Sequence, residues 1–131
     1  MKYLLFLLLP VFGNAQTFYV SGRDRASVNE VADKIKFEGY RMADSASADY
    51  IVNLLVDGSY NAMAIGFTFH GYIMITDRES NAEVVRTPMK GSSPALTNGY
   101  NASHAIFDKI DKKYLADALK KCPKKETVQS K

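Results

Sequence analysis

Ser103, His104 and Asp108 lie within six positions of one another in the segment NASHAIFDKI, residues 101–110. In serine hydrolases the same three residue types form a triad, in which histidine accepts the serine proton and aspartate orients the histidine. On a helix, however, adjacent residues point about 100° apart, so Ser103 and His104 would not face each other. The segment also lacks the GxSxG turn that exposes a nucleophilic serine. We therefore predict no catalytic residue here. We expect His104 and Asp108 to pair on the surface of a helix that Asn101 or Ser103 caps.

No other group of residues has the spacing of a metal or cofactor site. The two histidines, His70 and His104, are far apart in the sequence, and neither has a pair of carboxylates at ligand spacing. Asp57, Asp77 and Glu79 stand in predicted turns, where acidic side chains commonly bond to the local backbone. We predict that the protein is not an enzyme and binds neither a metal nor a cofactor.

The first 15 residues, MKYLLFLLLPVFGNA, have the pattern of a secretory signal peptide. A lysine is followed by an apolar run over residues 3–12, which is too short to cross a bilayer because a spanning helix needs about 20 apolar residues. We predict cleavage after Ala15 and export to the periplasm or beyond the cell. Residues 16–122 would then form one domain, and residues 123–131 a flexible basic tail. No later segment has the length or hydropathy to span a membrane.

Charge is concentrated near the end of the chain. Residues 109–131 contain eight lysines and three acidic residues, a local net charge of +5, whereas the whole chain has +3. Such a tail could make a weak contact with an anionic surface. Nucleic acid is not expected as a partner, because the protein is predicted to be exported and no aromatic residue interleaves with the lysines after Tyr114. The only cysteine, Cys122, excludes an internal disulfide; it could cross-link two chains or lie half-buried at a helix end.

Hydrophobic periodicity predicts an amphipathic helix over residues 27–39. Ser27 and Glu30 have the spacing of a capping box, and Gly39 stands where a helix-terminating residue of positive φ belongs. Between them, apolar residues recur at helical spacing: Val28, Val31, Ala32 and Ile35.

Four segments have the pattern of β-strands: residues 17–20, 50–56, 63–76 and 82–89. Residues 63–76 alternate most regularly, and their odd positions from Ile65 to Ile75 are predicted to face the core. A second helix follows residue 101, with one apolar face made of Ile106, Phe107, Ile110, Tyr114, Ala118 and Leu119. The predicted fold is therefore α+β, with the element order β-α-β-β-β-α. We expect a mainly antiparallel four-stranded sheet with both helices packed on one face.

Three phrases of the sequence resemble a group of small bacterial envelope domains. These are ADYIVNLLVDGSYN, GYIMITDRESNAEVV and ASHAIFDKIDKKYL, which are similar to a strand, a hairpin and the final helix of that group. The group includes the amino-terminal domain of the TolB translocation protein, the penicillin-binding-protein activator lipoproteins and domains related to the curli secretion lipoprotein. The resemblance covers about residues 17–120. It implies a non-catalytic envelope module, although the chain has neither a lipobox cysteine after the signal peptide nor a following β-propeller.

The sheet face away from the helices is the predicted contact surface. It would carry Ile51, Leu55, His70, Tyr72 and Met74, which is apolar for a face in contact with water. We therefore predict a non-catalytic binding or adaptor domain that contacts an envelope protein or a second copy of itself through a sheet face or edge. An inhibitor or immunity protein of an exported enzyme is the first alternative, and a small periplasmic enzyme is the second.

Overall fold

The computed structural model describes residues 16–61, 66–91 and 99–124. Over these residues the chain forms the strands β1 (Thr17–Ser21), β2 (Arg41–Met42), β3 (Tyr50–Asn61), β4 (Gly66–Asp77), β5 (Glu83–Arg86) and β6 (Lys90–Gly91). The helices are α1 (Arg25–Phe37), between β1 and β2, and α2 (Gly99–Lys113) and α3 (Leu115–Lys120), after β6. The predicted signal peptide and most of the predicted tail lie outside the described residues.

Helix α1 begins two residues before the predicted start, because its cap is Asp24 and not Ser27. The Asp24 carboxylate accepts a hydrogen bond from the backbone N–H of Ala26 at 3.1 Å and another from the Ser27 hydroxyl. The predicted capping box is therefore wrong: Ser27 lies inside the first turn and is buried. The predicted end is confirmed, since the helix ends just before Gly39, whose φ is +96°.

The described strands form one six-stranded mixed sheet in the order β2-β1-β3-β4-β5, with β6 beside β4. Strand β1 pairs in parallel with both β2 and β3, whereas β3–β4, β4–β5 and β4–β6 are antiparallel. The prediction of a mainly antiparallel four-stranded sheet is therefore wrong. The physical reason is the connection through α1, since a helical crossover returns the chain in the same direction.

Three helices, not two, cover one face of the sheet in the described chain. The predicted final helix is divided at Tyr114, whose φ of −121° interrupts the helical backbone between α2 and α3. Apolar residues continue at helical spacing across this break, so their pattern does not reveal it. The α+β class and the packing of the helices on one side are as predicted.

The core lies between the helices and the inner face of the sheet. Tyr50, Val52 and Leu54 of β3 and the predicted odd positions Ile73 and Ile75 of β4 are buried. Met63 and Ile65 lie outside the described residues, and the Phe67 side chain is not described. The helices contribute buried residues from one face each: Val31, Ile35, Ile106, Phe107, Ile110, Leu115, Ala118 and Leu119.

Cys122 closes this core at the end of α3. Its side chain is 2% exposed, and burial raises the pKa of its thiol to about 12. The Gln16 side-chain amide donates a 2.7 Å hydrogen bond to the Cys122 carbonyl, and the Tyr50 hydroxyl donates one to the Pro123 carbonyl. These bonds join the start of the described chain to its end.

At Gly71 the buried face of α2 packs directly against the sheet backbone. A Cβ at this position would lie 2.9 Å from the Leu55 carbonyl oxygen and 3.1 Å from Cγ2 of Ile106. Neither atom can move aside at low energetic cost, because one belongs to the backbone of the paired strand and the other to the buried face of the helix.

Gly71→Ala is therefore expected to lower the free energy of unfolding by about 1–3 kcal/mol, the usual cost of overpacking. Urea unfolding followed by circular dichroism measures this change. Ser21→Ala, at an exposed position of β1, is the control and should stay within about 0.5 kcal/mol of the parent protein. A Gly71→Ala protein as stable as the parent would contradict the close packing.

Candidate functional site

Ser103, His104 and Asp108 all lie on α2, but their side chains do not form a triad. Ser103 is 5% exposed, and its hydroxyl has no hydrogen-bond partner within the described chain. His104 Nε2 lies 3.5 Å from Oε1 of Glu30, and Asp108 Oδ2 lies 3.2 Å from Nζ of Lys112. The predicted capping role of Ser103 is wrong, because α2 begins at Gly99 and Ser103 lies within it. Asn101 also lies inside the helix, so it does not cap it either.

An acidic cluster that the sequence did not predict joins α1 to α2. Glu30 of α1 faces Asp108 and Asp111 of α2, and it shares hydrogen bonds with both. Burial, and after it the interaction with Asp108, raises the pKa of Glu30 from 4.5 to about 7. The same hydrogen bond, together with Lys112, lowers the pKa of Asp108. These opposite shifts mean that, of the two carboxyls, Glu30 is the more readily protonated.

Asp111 is the most deeply buried member of the acidic cluster. It is 6% exposed, and its Oδ1 has no hydrogen-bond partner in the part of the chain that the structure describes. Burial raises its pKa to about 6, while the charge of Lys34 acts in the opposite direction. The described residues contain no group of three or more His, Cys, Asp or Glu arranged to hold a metal ion. Burial at the interface between α1 and α2 therefore favours the protonated forms of Glu30 and Asp111.

The predicted contact residues lie together on the sheet face that the helices leave uncovered, here called the open face. Ile51 and Leu55 belong to β3, and His70, Tyr72 and Met74 belong to β4. Leu55 pairs directly with Tyr72 across the two strands. His70 is exposed, whereas the other four side chains are half-buried.

A groove of ≈ 630 Å³ crosses one end of the open face. Three predicted contact residues line it, together with four that were not predicted: Leu55, His70 and Tyr72, with Val56, Asp57, Gly58 and Met89. Ile51 and Met74 lie on the same face but outside the groove. Met89 is 58% exposed and follows β5 in the chain. The predicted strand over residues 82–89 included Met89, but nothing in its sequence indicated that this side chain lines the groove.

Arg86 of β5 completes the open face and was also missed. Its guanidinium lies 4.8 Å from the centroid of the Tyr72 ring, and one of its nitrogens lies 4.0 Å from the Met74 sulfur. A salt bridge of 2.7 Å to Glu83 orients the arginine. Because β5 pairs with β4 through a register shift, sequence alternation does not show that Arg86 points to this face.

Sequence comparison detects no matching protein family and no matching curated protein. Structure comparison finds a minor lipoprotein from Acinetobacter baumannii with a TM-score of 0.51 and 10% identity, covering 82% of this chain and 94% of that one. The chain shares that lipoprotein's fold. A PelC variant from Paraburkholderia phytofirmans, solved as a dodecamer, has a TM-score of 0.46 and 13% identity, covering 81% of this chain and 91% of that one. At the level of the fold, the chain thus resembles the Acinetobacter baumannii lipoprotein, and the likeness to TolB stays a prediction. Among the described residues, none of the helices has the length and hydropathy needed to cross a membrane.

The acidic cluster makes stability depend on pH. Glu30 and Asp111 have higher pKa values in the folded than in the unfolded chain, so folding takes up protons. Their contribution is fully present below about pH 4, near their unfolded values, and is lost as the pH rises through about 6 and 7. Glu30→Gln keeps a hydrogen-bond donor and removes one titration. It should raise the free energy of unfolding at pH 8 by about 1 kcal/mol, after allowance for solvent screening.

Urea unfolding at pH 5 and pH 8 tests this expectation. The exposed Asp33→Asn of α1 serves as the control and should keep the pH dependence of the parent protein. The account of the acidic cluster fails if Glu30→Gln changes stability equally at both pH values.

Proposed function

We propose that this protein is an exported, non-catalytic binding or adaptor module of the bacterial cell envelope, and that it contacts a protein partner through the open face. The observation that supports this proposal is that the described helices cover only one face of the sheet. The helices bury the inner face, whereas the open face keeps a half-buried apolar row that no described segment covers.

The composition of the open face is suited to protein recognition. Tyrosine, methionine and arginine are enriched at protein interfaces, and Arg86 contacts both Tyr72 and Met74 here. The Arg86 guanidinium over the Tyr72 ring supplies a flat, preformed contact that loses little entropy on binding. Apolar side chains of the groove stand beside the polar Asp57 and His70, as in an interface core with a polar rim.

Two independent observations support the envelope as the location. The first 15 residues have the pattern of a cleaved signal peptide, which directs a protein out of the cytoplasm. The fold is that of a bacterial lipoprotein, and lipoproteins reside in the envelope. Fold alone does not determine function, so the proposal rests on the chemistry of the open face.

The test replaces the centre of the open face by charge. Leu55→Glu with Tyr72→Glu places two carboxylates at directly paired positions, which a partner's apolar surface would have to desolvate. We expect binding to the partner captured from the native envelope fraction to weaken at least about tenfold, because central aromatic contacts dominate interface energies. Quantitative pull-down measures the binding, and circular dichroism verifies the fold.

Phe37→Glu is the matched control. Phe37 is 81% exposed at the end of α1, so it is an apolar surface residue remote from the open face. The control variant should bind like the parent protein. A folded Leu55→Glu, Tyr72→Glu protein that binds the same partner with unchanged affinity would refute the proposal.

A further inference from the structure

The side chain of Gln16 joins the start of the described chain to its end. Its amide nitrogen Nε2 donates a 2.7 Å hydrogen bond to the Cys122 carbonyl, and this bond is buried. The Gln16 carbonyl accepts a second hydrogen bond, of 3.3 Å, from the backbone N–H of Arg41 at the start of β2. The side chain and the backbone of Gln16 are therefore both held by residues that are distant in the sequence.

The predicted cleavage after Ala15 makes Gln16 the first residue of the mature protein. A glutamine in that position can cyclise in an intramolecular reaction that needs no cofactor and no second reactant. The α-amino nitrogen attacks the side-chain carbon Cδ, the bond from Cδ to Nε2 breaks, and Nε2 leaves as ammonia with a proton from the α-amine. The product is pyroglutamate, a five-membered lactam that has no Nε2.

The hydrogen bond to Cys122 opposes this reaction in the folded protein. Whatever path the ring closure takes, Nε2 departs, so the buried Cys122 carbonyl loses its donor. A buried carbonyl without a partner raises the free energy of the folded state. Cyclisation is therefore fastest in chains where this segment has opened or has not yet folded.

The acceptor of this hydrogen bond is also held in place. The Cys122 side chain is buried in the core, and its backbone N–H donates to the Leu119 carbonyl at 3.2 Å. The Tyr50 hydroxyl, from β3, donates to the carbonyl of the next residue, Pro123. The segment after α3 therefore cannot follow Gln16 if its side chain bends towards the α-nitrogen.

We propose that Gln16 is a modification site controlled by folding. The folded mature protein keeps its amino-terminal glutamine open, whereas the unfolded chain converts it to pyroglutamate. Folding and cyclisation then compete after export, and a chain that cyclises first lacks the hydrogen bond between its two ends. This competition requires cleavage after Ala15, and it does not involve the open face.

The test compares the folded protein that begins at Gln16 with the peptide QTFYVS, which has the sequence of residues 16–21 and is too short to fold. Both are incubated at neutral pH, and intact-mass spectrometry follows the loss of one ammonia. We expect the folded protein to cyclise at least about tenfold more slowly than the peptide, because the buried hydrogen bond must first open. In urea the protein and the peptide should react at similar rates.

Tyr50→Phe loosens the segment that contains the acceptor. It removes the hydroxyl that holds the Pro123 carbonyl, so the folded variant should cyclise at least about threefold faster than the parent protein. Tyr19→Phe is the matched control, because it is the same change on the neighbouring strand β1, at a half-buried position on the other face of the sheet. The control variant should cyclise like the parent protein.

The proposal is overturned if the folded parent protein cyclises as fast as the peptide, or if Tyr50→Phe reacts no faster than Tyr19→Phe while circular dichroism shows that both are folded. The first comparison needs no substitution, so it decides the matter even if Tyr50→Phe does not fold. Protein that is cyclised in urea and then refolded gives a second readout. It should unfold at a lower urea concentration than the open-chain protein, because it lacks the Gln16 donor, and equal unfolding midpoints would also contradict the proposal.

Discussion

The contact between α2 and β4 at Gly71 is the constraint on which the rest of the structure depends. Because glycine has no side chain, Ile106 approaches the sheet closely enough to be fully buried. Helix α2 then lies flat on the inner face and positions α1 beside it and α3 after it. Every described helix therefore lies on one side of the sheet, and no described segment covers the open face.

Because the helices pack on one side of the sheet, two regions have unusual surroundings: the interface between α1 and α2, and the open face. Between the helices, the packing of α1 on α2 forces Glu30 against Asp108 and Asp111, and the resulting loss of hydration is offset by proton uptake. On the other side of the sheet, the side chains of Leu55, Tyr72 and Met74 are only half-buried. The acidic cluster affects stability, whereas the open face is available to a partner.

The sequence predicted those features that depend on neighbouring residues. The alternation of β4 identified the inward Ile73 and Ile75, and Gly39 was identified as the residue of positive φ after α1. The alternation of β3 and β4 also placed the five predicted contact residues on the open face, although their role in binding stays a prediction.

Features that depend on distant contacts were missed. The two-residue strands β2 and β6 are too short to show alternation. They form by backbone pairing with β1 and β4, which are distant from them in the sequence. Glu30 was interpreted as part of a cap because nothing local indicates that α2 packs against it. Met89 and Arg86 reach the open face through an irregular edge, which a repeating pattern cannot describe.

Hydroxyl-radical footprinting in the native envelope tests most directly whether the open face is a contact surface. Oxidation of Tyr72 and Met74 is measured by mass spectrometry in the native envelope and in the purified protein at the same radical dose. Met42 of β2, which packs against the core, serves as the internal reference. The account predicts that Tyr72 and Met74 are protected in the envelope while Met42 is oxidised equally in both samples. Equal oxidation of all three residues in both samples would contradict it.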